Sequence, residues 1–389
     1  MKETRILYRE PTAESSPLSG SFGREQAALA RAYHRSFPQY AQTPLVSLPA
    51  MAARLGLGGI FVKDESKRFG LNAFKVLGGS YAIGRHIAAR AGLAPENMDY
   101  AALTGETMRP LLRDTAFFTA TDGNHGRGVA WTARELGCRA VVRMPRGTVD
   151  SRVRNIRALG AEVSVEGMNY DACVRLAARQ ARETPGGVLV QDTAWEGYTQ
   201  IPLWIMQGYL TMALEADEQM GAPPTHVFLQ AGVGSMAAAV AAYFAGKYAQ
   251  TPPKVVILEP SAANCFYRSA ARGQIEAVEG DMPTMMAGLA CGVPNPIAWE
   301  ILHALASAFL SCEDAVTERG MRLLGRPLEG DAPITSGESG AVGAGALWEI
   351  MADGQARKAL SLDERSRVLL ISTEGATDPV NYRRVMEKA

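Results

Sequence analysis

The chain has 389 residues, 47% hydrophobic and 21% charged, with forty basic residues against forty acidic ones. That balance excludes a disordered chain and leaves no net field to recruit nucleic acid or an anionic membrane. The length allows two domains with substantial cores.

The opening MKETRILYREPTAESS lacks the apolar stretch a signal peptide needs, and about the first twenty residues of the chain read as an extended, loosely packed arm. Further on, strand-like runs alternate with helix-like ones: GIFVKDE, TAFFTAT, RAVVRMP, AEVSVEG, GVLVQDT, THVFLQA, KVVILEP and RVLLIST. Between them, SRVRNIRALG and YDACVRLAARQARE carry apolar residues at helical spacing. The alternation predicts an α/β fold with open, largely parallel sheets flanked by helices. No Pro/Gly linker divides the chain. The expected division is a larger discontinuous domain of residues 1–85 plus 211–389 and a smaller one of 86–210. The most apolar run, MAAAVAAYFAG, is too short to span a bilayer. Cys138, Cys173, Cys265, Cys291 and Cys312 show neither CxxC nor metal-ligand spacing, so a reduced, cytoplasmic protein with no metal site is expected.

Three stretches carry chemistry. In RFGLNAFKVLGG, residues 68–79, Lys75 sits among apolar and glycine neighbours. It is either a snorkelling lysine at a helix start or a desolvated amine kept for reaction. In FFTATDGNHGRGVAWTARELG, residues 117–137, a strand runs through a polar glycine loop into a helix. Thr121, Gly123, Asn124 and the backbone at His125 offer donors suited to a small carboxylate or an aromatic oxyanion. Asp122 in that loop would repel an anion unless the ligand also carries a cation; the alternative is a helix N-cap. In GVGSM, Gly232 and Gly234 precede a helix and form a cup for a phosphate, with Ser235 as a further donor, or else a tight turn with no ligand. Gly232, Gly234 and Ala237 also fit a G-x-G-x-x-A dinucleotide fingerprint, with Glu259 closing the next strand as the ribose-binding acid. On the glycines alone, a nicotinamide enzyme is a rival reading.

Phe74-Lys75, TDGNHG and GVGSM occur in the order and spacing of fold-type II pyridoxal-phosphate enzymes, which the sequence resembles. More narrowly, KDESKRFGLNAFKVLGGS, ATDGNHGRGVAW, QDTAWEGYTQIP, MAGLACGVPNP and ISTEGATDP resemble the diaminopropionate ammonia-lyase family from about residue 40 to the end of the sequence. The resemblance implies pyridoxal 5'-phosphate as cofactor, a homodimer, and a site in the cleft between two domains. It implies α,β-elimination of 2,3-diaminopropionate, in D and L forms, to pyruvate and ammonia. Lys75 would carry the cofactor covalently and Phe74 would pack on its ring. Asn124 would donate to the ring oxygen. Gly232, Val233, Gly234, Ser235 and Met236 would hold the phosphate, and Ser372 (or Thr373) would face the ring nitrogen. Thr121, Asp122, Gly123 and His125 would bind the substrate. Lys75, Asp122 and Asp192 would be catalytic, the two acids holding the substrate's ammonium or moving protons. In simple dehydratases the position of Asp122 is usually small and uncharged, which favours a diamino substrate.

His34, His86, His226 and His303 are isolated and read as satisfied or surface side chains. Trp195 and Tyr198 read as packing or pocket lining, Cys265 and Cys291 as two free thiols or a redox-sensitive pair, and Glu338 as near the ring edge or a helix cap. The alternatives in function are a serine/threonine dehydratase or other β-eliminating or β-replacing enzyme, a nicotinamide oxidoreductase, and a cofactor-binding sensor.

Overall fold

The computed structural model describes residues 3–12, 19–121 and 123–388. Its strands are β1 Thr4–Tyr8, β2 Leu45–Ser47, β3 Gly59–Asp64, β4 Ala116–Ala120, β5 Arg139–Met144, β6 Glu162–Val165, β7 Gly187–Leu189, β8 His226–Gln230, β9 Lys254–Pro260, β10 Ala306–Cys312 and β11 Arg367–Ser372. All eight runs expected as strands are strands, and the expected α/β class with parallel sheets stands.

The chain divides into two compact units, residues 1–24, 42–67 and 212–389 in one and residues 25–41 and 68–211 in the other. The expected boundaries at 85/86 and 210/211 compare with 67/68 and 211/212 here, and residues 25–41 join the second unit. The reason is packing that no local pattern announces. The ring of Tyr33 lies against Gly84 so closely that a Cβ there would stand 2.6 Å from it. His34 Nε2 donates to the Leu77 carbonyl at 3.0 Å.

The first unit holds a seven-stranded sheet in the order β1-β10-β9-β8-β11-β3-β2, in which β1 and β2 are antiparallel edges and the other neighbours are parallel. Every residue of β8 and β10 is buried, the signature of central parallel strands covered on both faces. One face packs Val62, Phe228, Val256, Leu258, Leu310 and Leu370 against Val342, Leu347 and Ile350 of the helix Glu338–Ala352. The expected loose arm is, over Thr4–Tyr8, an edge strand paired with β10; the remainder of that opening is only partly among the described residues.

The second unit holds a four-stranded parallel sheet in the order β6-β5-β4-β7. The helix Tyr170–Glu183 lays Cys173, Val174, Ala177 and Ala181 on it, an i, i+1, i+4, i+8 stripe that matches its sequence pattern. The helix Gln200–Met220 carries the chain from this unit into the first. Among the described residues no helix is long and apolar enough to cross a membrane.

Candidate active site

In the second unit β4 delivers the chain into the glycine loop and then into the helix Asn124–Leu136. The Thr121 hydroxyl oxygen accepts the N–H groups of Gly123 and Gly126, at 2.9 and 3.1 Å, and so shapes the turn from within. Two of the loop's amides are thereby used by the loop itself. His125 is buried, and its Nε2 donates to the Val190 carbonyl at 2.8 Å. Asn124, half-buried, opens the helix. Asp122 lies outside the described residues.

The helix crosses the start of Val76–Arg90 at Gly128, where a Cβ would stand 2.7 Å from the Val76 Cα. Only glycine permits that approach, and it brings the loop's helix against the backbone of Lys75. Lys75 is the residue before that second helix begins, 17% exposed, and its Nζ donates to Asp192 Oδ2 at 2.9 Å. Asp192 follows β7 and is buried. Burial pushes its carboxyl up, but the charges of Lys75 and His125 and the hydrogen bond from Lys75 win and hold it at about 2. Phe74 is buried with its ring 4.9 Å from that of Tyr209. Lys75 and Asp192, far apart in sequence, thus form an ion pair, with His125 near enough to act on the carboxyl.

In the first unit β8 ends at Gln230 and the helix Ser235–Lys247 begins after a turn of small residues. The helix has no acid in its first turn and no side-chain cap on Gly234. A Cβ on Gly232 would stand 3.1 Å from the Gly288 carbonyl oxygen and the Cys291 Sγ. Gly234 has φ +88, and a Cβ there would stand 2.2 Å from the Phe266 ring. The turn therefore offers backbone amides and a helix N-terminus with no side chain in the way, which fits a phosphate group. Asn295, fully buried, pins it: its N–H donates to the Val233 carbonyl and its Nδ2 to Ser235 Oγ, both at 2.9 Å. Met236 is buried in the first turn of the helix. Ser372 ends β11, the strand beside β8, and its buried hydroxyl donates to Ser336 Oγ at 2.8 Å. Gln230 Nε2 donates to the Ile371 carbonyl at 2.6 Å and fastens the two strand ends together.

Glu259 does not stand free for a ribose. It is fully buried and its carboxylate accepts the Phe266 and Tyr267 N–H groups, each at 2.7 Å, at the start of the helix Cys265–Arg272. Burial pushes it up to about 8, against the lowering effect of those two amides. Glu338 is buried as the first residue of its helix and accepts from Asn381 Nδ2. All five cysteines are free thiols, with Cys265 Sγ 3.9 Å from the Gly232 carbonyl oxygen. Sequence reasoning missed Asn295, Ser336 and Gln191. An Asn-Pro before an apolar run is a helix-start signal that points to Asn295, whose Oδ1 accepts the Ile297 N–H at 3.0 Å. Nothing in the sequence marks the other two.

A family profile described as "Pyridoxal-phosphate dependent enzyme" matches residues 37–374. The diaminopropionate ammonia-lyase of Salmonella typhimurium is 49% identical over 384 residues, 96% of this chain and 94% of that protein. The Escherichia coli protein of the same name is 50% identical over 382 residues, 96% of this chain and 93% of that protein. A crystal structure of the Escherichia coli diaminopropionate ammonia-lyase in complex with D-serine superposes with a TM-score of 0.91 at 47% identity, covering 99% of this chain and 97% of that one.

Proposed function

The chain belongs to the pyridoxal-phosphate-dependent enzymes and, among them, to the diaminopropionate ammonia-lyase family, and from that premise we propose that it splits 2,3-diaminopropionate into pyruvate and ammonia. A water is consumed and both nitrogens leave as ammonia. Both enantiomers are substrates. The observation that carries the reading is the Lys75–Asp192 pair, a partly exposed amine held by a buried carboxylate.

Pyridoxal phosphate, when bound, supplies an electron sink for the pair left on the substrate's α-carbon once its proton is gone. Lys75 is the residue that would hold the cofactor, with Phe74 and Asn124 at its ring and Ser372 at the ring nitrogen. The amides of Gly232, Val233, Gly234, Ser235 and Met236 would take the phosphate. Thr121, Gly123 and His125 form the loop that would receive the substrate's carboxylate, Thr121 by shaping it through the two amides its hydroxyl accepts.

Lys75 Nζ takes the α-proton from one enantiomer, and Asp122 takes it from the other. Asp192 does not compete for that proton. With its carboxyl held at about 2 it stays ionised through the neutral range and is a poor proton acceptor there. Its part is to orient Nζ and to stabilise positive charge beside it. The departing β-amine must leave protonated, and a carboxylate suits a cationic side chain better than the neutral hydroxyl of serine.

Product stoichiometry tests the reading. Diaminopropionate turned over by elimination gives about two ammonia per pyruvate, and L-serine gives about one. A ratio of one from diaminopropionate would overturn the reaction. Asp122→Asn is expected to slow one enantiomer about a hundredfold and the other little; equal slowing of both would overturn the assignment of one residue to each. A cytoplasmic homodimer is the assembly this reading carries with it, and light scattering on the purified protein measures the dimer.

A further inference from the structure

Asp192 is carried by Val190–Asp192, a stretch that belongs to no strand. A carboxylate that meets Nζ at 2.9 Å needs a carrier that does not drift. Three side chains brace this one, two of them, His125 and Gln191, buried. The Tyr198 hydroxyl accepts the Gln191 N–H at 2.8 Å and donates to the Leu189 carbonyl at 3.0 Å, closing the backbone on both sides of Val190. His125 Nε2 holds the Val190 carbonyl between them. The Gln191 side chain accepts from the Ala120 N–H at 3.0 Å and the Thr119 hydroxyl at 3.2 Å, and donates to the Tyr170 hydroxyl at 2.7 Å. Tyr198 is itself fixed by a tight hairpin. Trp195 and Tyr198 exchange backbone hydrogen bonds at 3.2 and 2.8 Å across Glu196-Gly197, and their rings stack with centroids 4.4 Å apart.

We propose that Tyr198 is a positioning residue, whose hydroxyl holds the Leu189–Gln191 backbone so that the Asp192 carboxylate stays against Lys75. The proposal rests on the reading that the Lys75–Asp192 pair serves the reaction. A tyrosine that only filled space would need its ring and not its oxygen. Burial drives the phenol far above its ordinary range, the Gln191 amide opposes this and the Asp192 charge adds to it, so the hydroxyl keeps the proton that Leu189 accepts. The titratable groups that act on Asp192, or on which Asp192 acts, include Lys75, His125, Tyr198 and Tyr209.

Tyr198→Phe keeps the ring and the stack with Trp195 and removes one oxygen. In the holoenzyme, hydrogen exchange at the Gln191 amide is expected to accelerate about tenfold or more, as for a lost hydrogen bond. The Asp192 carboxyl, followed by its carbon-13 resonance, is expected to titrate about one pH unit higher, because a loosened Asp192 loses part of the charge that holds it down. Tyr248→Phe, which removes a hydroxyl bonded to Asp217 in the other unit, is the control and leaves both readings in place. Wild-type exchange at Gln191, or an unmoved Asp192 titration, in Tyr198→Phe would overturn the proposal. Should that variant fail to fold, Trp195→Leu removes the stack and leaves the hydroxyl. A smaller shift in the same two readings supports the brace, and no shift overturns it. The exchange measurement needs no substrate, so a failure to turn over diaminopropionate leaves it decisive on its own.

Discussion

Each unit contains a lysine paired with a carboxylate, and the two pairs differ in what surrounds them. Lys63, near the end of β3, is fully buried, and its ammonium meets Glu215 at 2.7 Å, the Thr43 carbonyl at 2.7 Å and Gln219 Oε1 at 2.8 Å. Its three N–H bonds are all used, and the partner Glu215 is equally sealed. Lys75 makes its bond to Asp192 from a position that is 17% exposed. An ion pair alone therefore does not mark a reactive lysine. Access does, and access is what a group that must meet a cofactor and a substrate requires.

The largest effect expected is from Lys75→Ala, which should cut turnover about a thousandfold or more while lowering the melting temperature less than the corresponding change at Lys63, because water can reach the gap. Rate and melting are measured on the same preparation. If Lys75→Ala retained turnover, the contrast would collapse. Lys63→Met removes this cation from beside the buried Glu215 and should cost about 3–5 kcal/mol of stability. Its turnover per folded molecule should stay within about twofold, since it removes no group that reaches a ligand. Denaturant midpoints and active-site titration separate the two quantities.

Asp192 gives a smaller, pH-dependent signal. Its carboxyl is depressed from 3.8 to about 2, so its contribution is present above 3.8 and is lost as pH falls through about 2. Urea midpoints of the wild type should lose about 2 kcal/mol over that window, and Asp192→Asn should lack this share. Equal slopes for both proteins would show that the pair does not hold the carboxyl down. The smallest effect belongs to Glu259, a buried carboxyl that meets the Phe266 and Tyr267 amides and the Cys265 thiol. Glu259→Gln keeps one acceptor and should cost about 1 kcal/mol of stability with turnover nearly unchanged. A large loss of turnover would return Glu259 to the ligand-binding role that the dinucleotide reading gave it.

Much of this was legible in the sequence, and the reasons for the rest are local. The eight expected strands are short apolar runs bounded by turn residues, so period and punctuation sufficed. β10 was hidden because ASAFLSC continues the apolar helix Pro296–Leu305 without a break, and only its pairing with β9 distinguishes it. β1 carries Thr4 and Arg5 and is a strand by virtue of its partner. Residues 25–41 belong with 68–211 through Tyr33 and His34, contacts that span tens of residues and leave no periodic trace. In the site, Lys75 and Asp192 stand out separately as a lysine in a glycine setting and an acid in a conspicuous block. Their meeting at 2.9 Å is tertiary information. Gly232 and Gly234 announce a backbone turn, and the structure supplies the reason: a Cβ would strike the Phe266 ring at Gly234 and crowd the Gly288 carbonyl at Gly232.

The most direct measurement is the rate of pyruvate release by the purified, pyridoxal-phosphate-loaded protein with D-2,3-diaminopropionate, L-2,3-diaminopropionate and L-serine in parallel. Fast release from both diaminopropionate enantiomers with little from serine is the predicted result. Preference for L-serine would contradict it, leaving Lys75 and the cofactor in place and moving the chain's activity to that of a dehydratase.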